Sequence, residues 1–198
     1  MIRPTVHLHT FDSALADAWR KAFAGQRGVT VVEEDILVGR ADAIVSPANS
    51  FGYMDGGIDL AYRKFFGHNL QTSLQSRIRE HFAGELPVGQ ATVIETGHDA
   101  FKYMVAAPTM RIPDRIGDTV NAYLAFRAAL LAVLAHNRTS SAPIRSMSSP
   151  GLGTGVGAMP VSRTAFQMHA AYEVVFGQPE WLADANAILA HHEDLRSA

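Results

Sequence analysis

The sequence predicts an α/β fold, a three-layer α/β/α sandwich around a mixed, largely parallel central sheet. Strand-like and helix-like segments alternate almost from end to end, the arrangement that puts helices on both faces of a sheet through crossover connections. Ile44 and Val45 are consecutive and both apolar, as in a strand covered on two faces. Two glycine-rich loops each follow a predicted strand and precede a predicted helix.

Residues 5–9 alternate apolar or β-branched side chains with His and read as a strand. Asp12 or Ser13 can cap a following helix, in which Leu15, Ala18, Trp19 and Phe23 fall on one stripe. Glycines at 25 and 28 break it, and residues 29–32 form a second strand. Residues 41–46 form a third, followed by a stretch at 47–57 too rich in turn formers to be regular. Helical pattern covers 58–66, stops at Gly67 and returns over 69–82; residues 91–95 and 103–107 are strand-like. Residues 118–137 make the clearest helix. Val120, Leu124, Leu131 and Leu134 lie along one side and Tyr123, Phe126, Leu130 and Val133 along the next, which predicts burial over most of its surface. A short strand at 144–147 leads into the second glycine loop. Pro160 then suits a helix's first turn, 162–176 is helical, and 181–192 closes the chain as a further helix. With no repeat, linker or composition shift, residues 1–198 read as one domain.

Composition narrows the function classes. In 198 residues, 47% are hydrophobic and 18% charged, which supplies a large core and excludes a disordered chain. Seventeen Lys plus Arg against nineteen Asp plus Glu leave a net charge of -2, so bulk charge draws the chain to neither nucleic acid nor a membrane surface. The absence of Cys removes disulfides, thiolate metal sites and a Cys nucleophile. No apolar run of signal length opens the sequence, and the apolar tract at 122–135 is interrupted by Arg127 and too short for a bilayer. The expectation is a cytoplasmic protein that needs no cofactor.

Glycine loops at strand ends let backbone amides approach a phosphate with no Cβ in the way, and helix N-termini favour the anion. Two in one small domain point to a ligand whose pyrophosphate is gripped from two sides. The run Gly153-Thr154-Gly155-Val156-Gly157-Ala158 also satisfies G-x-G-x-x-A, but it stands near the C-terminal end rather than in the first βαβ unit. The acidic residue about 20 positions on would be Glu173, inside a helix. A dinucleotide-binding reading therefore fails, and no P-loop motif is present.

Four motifs in order resemble the macrodomain family. They are Glu34-Asp35-Ile36; Asp42-Ala43-Ile44-Val45-Ser46-Pro47-Ala48-Asn49-Ser50 with Gly56-Gly57-Ile58-Asp59; Pro87-Val88-Gly89-Gln90-Ala91; and Gly153 to Pro160. They are similar to the family's G-D-I, D-A-I-V-N-A-A-N with G-G-G-V-D, P-x-G-x-A and S-T-G-I-Y-G-F-P, and span roughly residues 33–176. The N-terminal strand and helix and the last helix lie outside this span. The resemblance implies an ADP-ribose-binding fold, with ADP-ribose or an ADP-ribosylated protein as partner. It implies that Asp35 accepts from the adenine amine, with the Ile36 amide near the adenine or proximal ribose. Asn49 would bond the distal ribose, flanked by the backbone of Gly56, Gly57 and Ile58. Asp59 would orient or activate water at the anomeric carbon, and Gly153, Thr154, Gly155, Val156 and Gly157 would cradle the pyrophosphate. The activity implied is hydrolysis at the distal ribose, from a modified protein, O-acetyl-ADP-ribose or a 1″-phosphate. The alternative is a reader without turnover. In either case Asp59 falls in a helix's first turn, where the dipole favours its ionised form.

The sequence departs from the family pattern. Ser46 and Pro47 replace the first Asn and Ala, Asp55 replaces the first glycine of three, Gly157 replaces an aromatic, and Met159 stands where Phe or Tyr is common. Tyr53, Phe51 and Trp181 are candidates for the missing aromatic contact, each equally able to be core. His7 and His9 point to one strand face without an identifiable third metal ligand, so a partly exposed strand face is the reading, not a metal site. His191-His192-Glu193 reads as a solvated helix end. Met110 to Arg115 reads either as a surface loop or as an overhang of the pocket.

Overall fold

The computed structural model describes residues 2–177 and 179–198, apart from the side chains of Glu180 and Trp181. The element order is β1 (Thr5–His9), α1 (Ser13–Ala22), β2 (Val29–Val32), β3 (Ala43–Ser46), α2 (Gly57–Phe66), α3 (Asn69–Phe82), β4 (Thr92–His98), β5 (Phe101–Ala106), α4 (Asn121–Thr139), β6 (Ser146–Ser149), α5 (Val161–Phe176), a short 3-10 helix (Glu180–Ala183) and α6 (Ala185–Ser197). The strands form one sheet in the order β2-β1-β6-β3-β5-β4. All neighbours are parallel except β4, which returns antiparallel along β5 at the edge.

Strand periodicity sorts the core into two layers. Val6, Leu8, Ala43, Val45, Val105 and Met147 face one side, where they meet α1, α4 and α5. Ile44, Met104, Ala106 and Ile94 face the other, against Tyr62 of α2 and Leu70, Leu74 and Ile78 of α3. Apolar neighbours such as Ile44 and Val45 are therefore both buried, each in a different layer. Trp19 on the α1 stripe is completely buried, and Asp12 caps α1 by accepting from the amides of Ala14 and Leu15.

Several boundaries differ from the sequence expectation. The last helix is not continuous over 181–192: Asp184 has an extended backbone and accepts from the amides of Asn186 and Ala187, so it starts a new helix after the 3-10 turn. Leu131 is exposed, because the buried face of α4 runs through Ala122, Phe126, Ala129, Leu130 and Val133. β6 begins two residues late, since the Ile144 amide and carbonyl are taken by the Asn137 side chain. Pro160 precedes α5 as its N-cap rather than sitting within its first turn. No helix among the described residues is long and apolar enough to cross a membrane.

Two expected outliers are integral. β1 is an interior strand, paired with β2 on one side and β6 on the other. α6 is tied to the body by Gln167, a completely buried side chain of α5 whose Nε2 donates to the carbonyls of Thr119 and Leu195, both at 2.7 Å.

Candidate functional site

β3 and β6 are paired only at Ala43–Met147 and Ile44–Ser148. Beyond that point the sheet opens, and the chains leaving β3 and β6 lead to α2 and α5. Such a switch point, at the carboxyl ends of parallel strands, is where an α/β sheet can hold a ligand. A cleft of about 520 Å³ lies here. Its walls come from the segments after all five parallel strands: His9 to Leu15, Glu34 to Leu37, Pro47 to Tyr62, Thr109 to Pro113, and Pro150 to Gly157.

The loop after β3 is shaped by Asn49. Its Oδ1 accepts from the amides of Phe51 at 3.1 Å and Tyr53 at 3.3 Å, and its Nδ2 donates to the Tyr53 carbonyl at 2.8 Å. Both Oδ1 lone pairs are used, which leaves Asn49 a single N–H for a ligand. Met54 is buried under α2 and α3, while Tyr53 and Asp55 on either side of it are exposed and line the cleft. Gly56 then caps α2 with extended backbone and no side-chain bond. The amides of Gly57, Ile58 and Asp59 thus have no partner in the chain among the described residues, and they sit at the positive end of the helix dipole.

Asp59 projects from this first turn into the cleft floor. Ser46 Oγ, completely buried at the end of β3, donates to Asp59 Oδ1 at 2.6 Å. Burial pushes the Asp59 carboxyl up to about 6, with Asp55 adding to the rise and the Ser46 hydrogen bond opposing it. Desolvation thus raises the carboxyl even in a helix's first turn, and the group is still ionised at neutral pH. Below it, the Tyr62 hydroxyl donates to the Val45 carbonyl at 3.1 Å, a group left free where β3 parts from β6.

The loop after β6 closes on itself. The Ala158 amide donates to the Gly155 carbonyl, the Met159 amide to the Gly153 carbonyl, and the Ile116 amide to the Gly157 carbonyl, all within 2.8–3.0 Å. Gly153 has φ +84°, and a Cβ at Gly157 would come within 2.6 Å of both the Gly153 carbonyl oxygen and Ile116 Cγ1. Ile116, buried and outside the cleft lining, therefore blocks the space that a side chain at position 157 would enter. Met159 is core. The amides of Thr154, Gly155, Val156 and Gly157 remain without partners among the described residues.

Every residue singled out from the sequence as a site candidate lines this cleft: Asp35, Ile36, Asn49, Gly56, Gly57, Ile58, Asp59, Gly153, Thr154, Gly155, Val156 and Gly157. Asp35 spends Oδ1 on the Leu37 amide at 2.9 Å. The sequence reading missed His9, Thr10, Phe11 and Leu15, because they precede the recognisable motifs. The signal available was strand order: a strand-turn-helix at the start of an α/β chain delivers its turn to the ligand edge. His9 is nearly buried, its Nε2 3.4 Å from Ser148 Oγ, and burial lowers its pKa. His7 instead bonds Thr30 Oγ1 at 2.6 Å, and no metal-ligating cluster of three or more forms among the described residues. Met110 and Pro113 overhang the cleft, whereas Arg111 is turned to a bidentate pair with Glu85 and lies over the Phe51 ring. Of the candidate aromatics, Tyr53 lines the cleft and Phe51 does not; the Trp181 side chain lies outside the described residues. The lining includes Glu34, Asp35, Asp55 and Asp59 but neither Lys nor Arg.

This fold has counterparts. An uncharacterized protein of Aeropyrum pernix is 30% identical over 78% of this chain and 75% of its own length, and one from Aquifex aeolicus is 31% identical over 67% and 73%. The macrodomain of Mycobacterium tuberculosis DarG superposes with a TM-score of 0.61 at 21% identity, covering 74% of this chain and 90% of that one. A mutant Oceanobacillus iheyensis macrodomain solved with ADPR gives a TM-score of 0.52 at 21% identity, over 67% and 70%. The Macro domain family profile matches residues 45–168, from the middle of β3 into α5 and across both loops that form the cleft. With more than half its length inside that profile, the chain belongs to the macrodomain family.

Proposed function

We propose that the cleft binds ADP-ribose and that the chain hydrolyses the bond between the distal ribose and its substituent. The observation that carries this is the pairing of two sets of unpartnered amides, Gly57 to Asp59 and Thr154 to Gly157, across one cleft that has no Lys or Arg. Amides and helix dipoles are then the means of holding a pyrophosphate. The Oceanobacillus iheyensis relative with ADPR supports the same ligand. Asp35 keeps one carboxylate oxygen for the adenine amine, and the remaining Asn49 N–H suits a distal-ribose hydroxyl.

Asp59 supplies the chemistry in this reading. Its carboxylate takes a proton from water as the water oxygen attacks C1″ and the leaving group departs with the bonding electrons. A pKa of about 6 leaves the group ionised at neutral pH and more basic than an ordinary carboxylate. Asn49 favours the reader alternative, since three of its polar contacts are already made inside its own loop.

Calorimetry with ADP-ribose and AMP tests the ligand. ADP-ribose is expected to bind at least tenfold more tightly, and equal affinities would refute a two-loop grip. Single-turnover release from a mono-ADP-ribosylated protein, O-acetyl-ADP-ribose and ADP-ribose 1″-phosphate tests the enzyme. Tight binding with no turnover on any of the three would leave the reader.

A further inference from the structure

The group carried on C1″ of the distal ribose is not specified by the reading above, and the first loop bears on it. Asp55 stands where the family resemblance leads one to expect glycine, at the mouth of the cleft and four residues before Asp59. Both carboxylates line the cleft, and Asp55 is close enough to disfavour the charge on Asp59. Among the described residues that line the cleft there is neither Lys nor Arg to neutralise them. Arg111 is held bidentate by Glu85, and Arg63 of α2 points its NH1 to Gln71 at 3.1 Å. The unpartnered amides of the two loops are the donors that the reading above assigns to the pyrophosphate. Tyr53, two residues before Asp55 and 54% exposed, adds an aromatic ring to the same wall. A carboxylate and an exposed aromatic ring lining one cleft are the two kinds of group that recognise a planar cation.

We propose that Asp55 and Tyr53 form a charge filter at C1″, which disfavours an anionic substituent such as a phosphate and favours a planar cation such as a guanidinium. This rests on the ADP-ribose reading of the cleft and specifies its substrate class. Asp55 is exposed, so water screens both effects. The discrimination against phosphate is the larger, because a phosphate monoester carries about -1.5 to -2 charges and a guanidinium only one.

Two ratios test the filter, so that a general loss of affinity cancels. The first is the Kd of ADP-ribose 1″-phosphate over that of ADP-ribose, expected at about tenfold or more and falling towards one in Asp55→Asn. The second is the Kd of a serine-linked ADP-ribosyl peptide over that of the same peptide linked through arginine. It is expected at about three- to fivefold, falling in both Asp55→Asn and Tyr53→Leu. Equal binding of ADP-ribose and its 1″-phosphate, or ratios unmoved by Asp55→Asn, would overturn the filter while leaving the ADP-ribose reading intact. Failure of ADP-ribose itself to bind would overturn the reading and the filter with it.

Discussion

Ser46 Oγ donates a 2.6 Å hydrogen bond to Asp59 Oδ1, tying the last residue of β3 to the first turn of α2. Two effects of opposite sign meet in this contact. Burial drives the carboxyl up, and the serine, standing where the family pattern has asparagine, holds it down. The proposed catalytic base is thus tuned by a buried residue that does not line the cleft.

Activity should therefore rise with pH through about 6 and level off above it, because the ionised carboxylate is the working form. Ser46→Ala removes the opposing hydrogen bond, so the acid limb of kcat/KM should move to higher pH. An unchanged limb in this variant would show that some other group titrates. Circular dichroism would confirm that the small buried substitution leaves the fold intact.

Asp59→Asn should separate activity from stability. The folded-state pKa of about 6 exceeds the ordinary carboxylate value of 3.8, so the native state keeps a proton that the unfolded chain has released between these values. Stability from this group therefore falls as pH rises through that window, and the penalty is complete above about 6. Its size is at most about 3 kcal/mol. At pH 7.5 Asp59→Asn should raise Tm, with the gain fading below pH 5. Hydrolysis should drop on the order of 10²–10⁴, while ADP-ribose affinity stays within about tenfold. A fall in Tm at pH 7.5 would contradict the burial argument.

Gly155 and Gly157 differ in what they can accept. A Cβ at Gly155 meets nothing within 4 Å and its φ is not positive, so Gly155→Glu should fold normally and lose ADP-ribose binding by charge repulsion. Gly157→Ala would push against the Gly153 carbonyl and Ile116, and should cost about 1–3 kcal/mol. Thermal melts beside calorimetry distinguish the two. Retained affinity in Gly155→Glu would reduce this loop to a turn.

Asp35→Asn is a sharper probe than Asp35→Ala. The amide oxygen can still accept from the Leu37 amide and keep the turn, but the carboxylate acceptor for an exocyclic amine is gone. A loss of about 1–3 kcal/mol in ADP-ribose affinity is expected. Binding of an analogue that lacks the exocyclic amine should change much less.

The sequence by itself determined the strands, most helices and the two loops, because period, caps and glycines are local. Asp12 caps α1, Gly67 ends α2, and the strands at Thr5–His9 and Val29–Val32 begin and end where their patterns do. The motif residues could be named because their chemistry is carried in short runs. Only the tertiary structure decided how these runs share one cleft. His9 and Phe11 line it because β1 is inserted between β2 and β6, a pairing between residues more than a hundred positions apart. Ile116 leaves no room for a side chain at Gly157 because a loop from beyond β5 packs onto the loop after β6. The raised pKa of Asp59 was not legible in the sequence, because desolvation depends on everything packed around a group and not on its place in its own helix.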